Sequence, residues 1–291
     1  MSMFIKILLG TLTFAVLGVT MHRVKTAAST VDSTVVASTL PALNMSESAG
    51  SSSRDRSDAF DRTATDHFPK LKDHLKAAHS AAAAMPGYTA ILERQEEVDD
   101  QLRPVDRIEF KTRREPFSVY MRWADSEQEA LYVHGENDNR LIVRPTKGLA
   151  AIRRVWRLDP DCRMAKQTCR YPITDAGIEN LVSRIQSFYD EHKNVAILAD
   201  CKMQQTTFTD KDVIVFDIKF RDEATVPRYS ASRFCFDEQT KLLIAVDNYG
   251  WSKDSKPRLI EHYFYDQIEV LAEPNEDVFV EENPAYRFVA R

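Results

Sequence analysis

Asp212-Val213-Ile214-Val215-Phe216-Asp217-Ile218-Lys219-Phe220-Arg221 is the stretch from which the fold is read. Its side chains alternate with a period of two, placing Ile214, Phe216, Ile218 and Phe220 on one side of an extended strand and Asp217 and Lys219 on the other. One face is therefore apolar and the other wet. The same period returns at Val195 to Gln205, at Tyr229 to Asp237 with its Phe234 and Phe236, at Leu242 to Tyr249 and at Leu259 to Val270. Turn-like segments separate these runs, so they read as an antiparallel meander of five strands.

Upstream of the meander the period changes to that of a helix. Thr174 stands as its N-cap, Asp175 falls in its first turn, and Ile178, Leu181, Val182, Ile185 and Tyr189 form a single apolar stripe. Before that helix the period of two holds again: Phe117, Val119, Met121 and Trp123 share one face, with Ser118, Tyr120 and Arg122 opposite. Tyr88 to Val98 and Arg107 to Lys111 read as the preceding strands, and Glu129 to His134 with Arg140 to Arg144 as a hairpin turning at residues 135–139. A first helix covers Phe68 to Met85, with Leu71, Leu75 and Ala78 at helical spacing and Pro86-Gly87 ending it. The expected class is α+β, mostly antiparallel β, as one wide curved sheet with helices packed across its concave face; a β-sandwich is the alternative.

In front of this domain, Lys6 precedes an uncharged apolar run from Ile7 to Met21, the layout of a signal peptide or of a short uncleaved membrane anchor. The segment from Ala27 to Asp66 is rich in Ser, Thr, Asp and Ala and nearly devoid of large apolar residues, so it reads as a disordered linker. The expected organisation is a signal or anchor over 1–26, a linker over 27–66 and one β-rich domain over 67–291, exported to the periplasm or cell envelope.

Several function classes are excluded by pattern. The net charge is −5, and 39 basic residues alternate with 44 acidic ones without a sustained basic block, which argues against nucleic acid as a partner. With eight glycines the chain holds neither a G-x-G-x-x-G turn nor a phosphate-binding loop, and it lacks G-x-S-x-G and H-E-x-x-H. His67 and His74 read as a solvated helix face. Asp159-Pro160-Asp161 and the loop from Glu136 to Asn139 read as turn chemistry rather than a calcium site, and Glu96, Glu97, Asp99 and Asp100 as a wet face. No metal or other cofactor is expected. Enzyme chemistry would require a pair such as His134 with Asp175 or His262 with Asp266, and the expectation is that the protein is not an enzyme. Of the four cysteines, Cys162 and Cys169 share a loop and are expected to form a disulfide in an oxidising compartment, whereas Cys201 and Cys235 sit on different strands as small buried hydrophobes.

Four ordered blocks carry a family resemblance: Arg114-Glu115-Pro116-Phe117-Ser118-Val119-Tyr120-Met121, Leu131-Tyr132-Val133-His134-Gly135, Tyr171-Pro172-Ile173-Thr174-Asp175-Ala176-Gly177 and Asn283-Pro284-Ala285-Tyr286-Arg287-Phe288. From Phe68 onward the chain resembles the bacterial domain of unknown function 1571, best known from planctomycetes. That family resembles in fold the LolA-like lipoprotein carriers and receptors, and the resemblance implies an unclosed β-barrel curled around an apolar cavity closed by helices. It implies no catalytic residues. The lipidation cysteine of lipoprotein receptors is missing here. The function expected is binding of a lipid, acyl chain or lipoprotein, with the face carrying Ile214, Phe216, Ile218, Phe220, Phe234 and Phe236 lining the cavity; a structural or assembly role in the envelope is the alternative. A membrane would be met only through an uncleaved N-terminal segment.

Overall fold

The computed structural model of the chain describes residues 67–146, 155–192, 199–252, 258–273 and 275–289; the expected signal or anchor and the linker lie outside the described residues. Helix α1, His67–Ala83, turns Phe68, Leu71, Leu75, Ala78 and Ala82 inward at the spacing of one helical face. It stops short of Met85, whose successor Pro86 disfavours helical backbone before it. The strands that follow are β1 (Gly87–Val98), β2 (Gln101–Leu102), β3 (Asp106–Arg113), β4 (Ser118–Trp123), β5 (Glu129–Val133), β6 (Leu141–Arg144) and β7 (Trp156–Leu158). Helix α2 spans Ile178–Glu191, and β8 (Ala199–Phe208), β9 (Lys211–Phe220), β10 (Ala231–Asp237), β11 (Leu243–Gly250) and β12 (Arg258–Val270) complete the strands among the described residues.

All pairings are antiparallel within one sheet of order β7-β6-β5-β4-β3-β1-β12-β11-β10-β9-β8, with β2 attached to β1. Each flank is a meander, and the first and last long strands, β1 and β12, meet at the centre. Among the described residues β7 pairs only with β6 and β8 only with β9, so the sheet stays unclosed, and the sandwich alternative is not adopted. Strands β2 and β7 are elements sequence reasoning missed, two and three residues long and too short to show an alternating run.

The start of α2 differs from the expectation. Ile173–Asp175 forms a separate 3₁₀ turn, and the residue at the helix entrance is Gly177 rather than Thr174, at φ +100. A tyrosine hydroxyl does the capping: Ile178 N donates to Tyr88 Oη at 2.8 Å. A Cβ at position 177 would meet Tyr88 Oη at 3.3 Å, and the positive φ is one that glycine adopts freely.

Both helices pack on each other and on one face of the β8–β11 half. His74 of α1 lies edge-on to Phe216 and Phe236, with ring centroids 5.1 and 5.6 Å apart. From α2, Phe188 meets Phe220 at 6.1 Å and Tyr189 meets Phe234 at 6.5 Å. The opposite face of β9 is not wholly wet. Val213 and Val215 are fully buried there alongside Cys235 and Ala245, because Phe208 and Phe264 meet at 5.0 Å and cover that side; Lys211, Asp217 and Lys219 keep its polar character.

A second cluster lies on the other side of β4–β6, where the C-terminal segment crosses the sheet. Tyr286 stacks on Tyr120 at 3.9 Å, and Phe288 and Phe279 complete the layer. Beneath it the fully buried Glu129 accepts from Tyr120 Oη at 3.0 Å and from the Arg287 backbone N at 2.9 Å. The terminal block Asn283–Phe288 is thereby a strap over the sheet.

Candidate functional site

The helices leave the β4–β7 half of their own face open, and there the structure holds a cleft of about 310 Å³. The register explains which side chains reach it. Pairings Leu92↔Tyr265 and Arg94↔Tyr263 join β1 and β12, Met121↔Ala130↔Val143↔Trp156 runs across β4 to β7, and Leu141↔Leu158 extends the same wall. The roof is the segment Pro160–Gly177 with Leu181 and Arg184 of α2. Most of the lining is apolar, and Met164, 55% exposed, stands in the roof with its side chain in water.

The roof is held by two buried carboxylates. Glu261 accepts at Oε1 from Tyr171 Oη (2.9 Å), Arg170 Nε (3.0 Å) and Arg228 Nη2 (3.2 Å), and at Oε2 from Asn248 Nδ2 (2.8 Å). Its charge is matched and its oxygens are saturated, so burial at 2% exposure is tolerated. Glu96, 3% exposed, accepts from the Tyr263 hydroxyl and from Arg170 N at 3.1 Å. Burial and the neighbouring Glu96 push the Tyr263 hydroxyl well above the ordinary phenol value, so it stays a donor. Arg94 donates to Asp106 at 2.6 Å, approaches Glu96 at 3.9 Å and lies 5.8 Å from the Trp123 ring centre. Burial works against its charge, but Glu96 and Asp106 outweigh it and keep Arg94 protonated.

The residues expected to line the cavity do not line this one. Phe216, Ile218, Phe220, Phe234 and Phe236 are buried core, and Ile214 is partly buried against it. The physical reason is that α1 and α2 land on their strands and consume that apolar face, leaving the uncovered region across the sheet. The bridge between Cys162 and Cys169 is not formed either. Both thiols are free, and each makes its own contact with Ala165: Cys162 Sγ accepts from its N at 3.4 Å, and Cys169 Sγ donates to its O at 3.5 Å. Cys169 lines the cleft, where burial raises its thiol pKa while Arg94 pulls it back down. Cys201 and Cys235 are free and buried, separated by β9.

Neither of the two acid–base pairs considered from sequence comes together. His262 Nδ1 faces Asp247 Oδ1 at 2.6 Å instead of Asp266, on the side of the sheet away from the cleft, and His134 is exposed. Asp175 lines the cleft by itself. No cluster of three or more His, Cys, Asp or Glu side chains is placed to hold a metal ion among the described residues. The acidic patch also divides: Glu96 is buried at the cleft, while Asp99 and Asp100 form the β1–β2 turn at positive φ. Arg94 and Glu96 were visible in principle. They occupy even positions of β1, whose other even residues Tyr88, Ala90 and Leu92 are apolar and buried, and a charge on such a face is the signal.

Residues 85–288 match the family model described as a protein of unknown function (DUF1571). A search of curated proteins finds no match. Solved structures similar to the chain include the Mycobacterium tuberculosis lipoprotein LppX, at 9% identity over 72% of this chain and 100% of the other, with a TM-score of 0.41. LprF from Mycobacterium bovis is similar at 9% identity over 71% and 97% of the two chains, TM-score 0.38. The LolA superfamily protein NE2245 from Nitrosomonas europaea is similar at 9% identity over 72% and 96%, TM-score 0.21.

Proposed function

The chain belongs to the DUF1571 family, and on that premise we propose that it is a non-enzymatic, exported cell-envelope protein that binds an apolar ligand, a lipid, acyl chain or lipoprotein, in the cleft under the Pro160–Gly177 roof. The observation that carries this reading is the open apolar wall of Leu92, Met121, Leu141, Val143, Trp156 and Leu158 beside a helix-covered half whose apolar face is filled. A volume of about 310 Å³ falls in the range of small-molecule sites, roughly 300–1,000 Å³, and such sites are mostly apolar with a few convergent polar groups. Each methylene moved from water into the cleft contributes about 0.8 kcal/mol, so an acyl chain is held chiefly by burial. Export is supported by Lys6 and the uncharged run from Ile7 to Met21. Among the described residues no helix is long and apolar enough to cross a membrane.

The test is a titration of the exported protein with a fluorescent fatty-acid probe. Wild type is expected to bind saturably. Val143→Trp, which inserts a ring into the cleft from β6, is expected to weaken binding at least about tenfold while costing no more than the roughly 1–3 kcal/mol of an overpacked site. Absence of saturable binding to wild type overturns the reading.

A further inference from the structure

We propose that the ligand of this cleft is a single-chain anionic amphiphile and that Arg184 reads its acidic head. This rests on the cleft being an apolar binding site and adds the class of ligand it selects. Arg184 projects from the second turn of α2 into the cleft lining. Its guanidinium lies 3.9 Å from the centre of the Tyr171 ring, which orients the fork, and Nη1 donates to the Asp175 backbone O at 2.9 Å. A guanidinium carries five N–H donors, and that carbonyl is the one protein acceptor the fork meets among the described residues. No carboxylate there lies within 4.0 Å of it. Arg94, the other arginine of the lining, is matched by Asp106 and Glu96.

The acids facing the same space do not cancel Arg184. Glu96 is taken up by Tyr263, Arg170 and Arg94, and Asp175 is partly exposed to water, its backbone rather than its carboxylate meeting the guanidinium. The N-terminal end of α2 adds partial positive charge at Ala176 and Gly177, which also line the cleft. An apolar wall on one side and an oriented, uncompensated fork on the other match a chain that ends in a carboxylate or phosphate. Planar bidentate recognition of such groups is what arginine supplies and lysine does not.

The experiment displaces the fluorescent probe from the exported protein with dodecanoate, dodecyl phosphate and dodecanol, all below their aggregation concentrations. The expected result is that at least one anion binds about tenfold tighter than the alcohol, the value of one hydrogen-bonded charge contact in a part-exposed site; which anion wins identifies carboxylate or phosphate as the source. Arg184→Gln is expected to weaken the preferred anion about tenfold more than it weakens dodecanol, which erases the preference. Where Arg184→Gln does not fold, Arg184→Lys is expected to narrow the preference. Dodecanol binding as tightly as both anions, or a preference that survives either substitution intact, overturns the role of Arg184 while leaving the apolar cleft standing. Failure of all three and of the probe removes the cleft reading and this one together.

Discussion

Cys201 and Cys235 sit at full burial on opposite sides of β9, and burial pushes both thiols up to about 12, against the ordinary 9.0. The thiolate is the reactive form, so at pH 8 neither residue meets the condition for attack and neither is reached by reagent. Cys162 and Cys169 are partly exposed, and Cys169 is further slowed by the burial that raises its pKa. Iodoacetamide at pH 8 is therefore expected to label Cys162 first, Cys169 more slowly, and Cys201 and Cys235 only as the protein unfolds. Peptide mass mapping against time checks the order, and early label on Cys201 or Cys235 contradicts the burial described. The same shifts set an alkaline limit. A folded pKa raised above the unfolded one contributes stability that is present in full below pH 9 and is lost as pH climbs through about 12. The Tm is expected to fall across that window, and less steeply in Cys235→Ala than in wild type.

Among the elements, the C-terminal strap is a place where a few side chains hold a large area. Tyr286 lies parallel on Tyr120 with an interplanar angle of 12°, its hydroxyl donates to Val278 O at 2.6 Å, and its neighbour Arg287 supplies the backbone N that satisfies the buried Glu129. Removing the ring in Tyr286→Ala uncovers Tyr120 and loosens the donor to Glu129, which is expected to cost about 3 kcal/mol, the low end for a large aromatic truncation because the strap borders solvent. Urea denaturation measures it; a loss under about 1 kcal/mol would mean the strap is ornamental. What was legible at this scale was each element's period. Long strands such as β9 and β12 and the stripe of α2 announced themselves because one face of each meets a core. The strap was visible only as a residue block, since its residues have no period. The six residues expected to line the cavity have the alternation of an apolar face but do not line the cleft described above, because alternation shows that a face is apolar without showing what lands on it. His74 of α1 decides that for Phe216 and Phe236, lying edge-on to both from more than a hundred residues away in the chain.

The described strands form a single sheet with two unequal halves. Strands β8–β11 lie under both helices, and β9–β11 are buried on both faces around Val215 and Cys235, whereas β6 and β7, of four and three residues, border the cleft and end the sheet. Local opening free energy follows the apolar burial and the backbone pairing that opening must break. Amides of β10 and β11 are therefore expected to exchange by global unfolding, and those of β6 and β7 by openings of much lower free energy. A ligand seated in the cleft contacts β4, β6, β7 and the roof from Pro160 to Gly177, so it binds the closed form and not the opened one. By linkage, at a ligand concentration of 100 times Kd it raises the cost of any opening that releases it by about 2.7 kcal/mol, close to a hundredfold slower exchange. The slowing should be concentrated in β6, β7 and the roof, because only there is the unliganded opening cheap enough to dominate exchange. Hydrogen–deuterium exchange of the protein with and without dodecanoate measures both halves in one experiment. Protection centred instead on β9 and β10 would place the ligand beneath α1, where Phe216 and Phe236 now fill the space, and would require the helices to move aside for it.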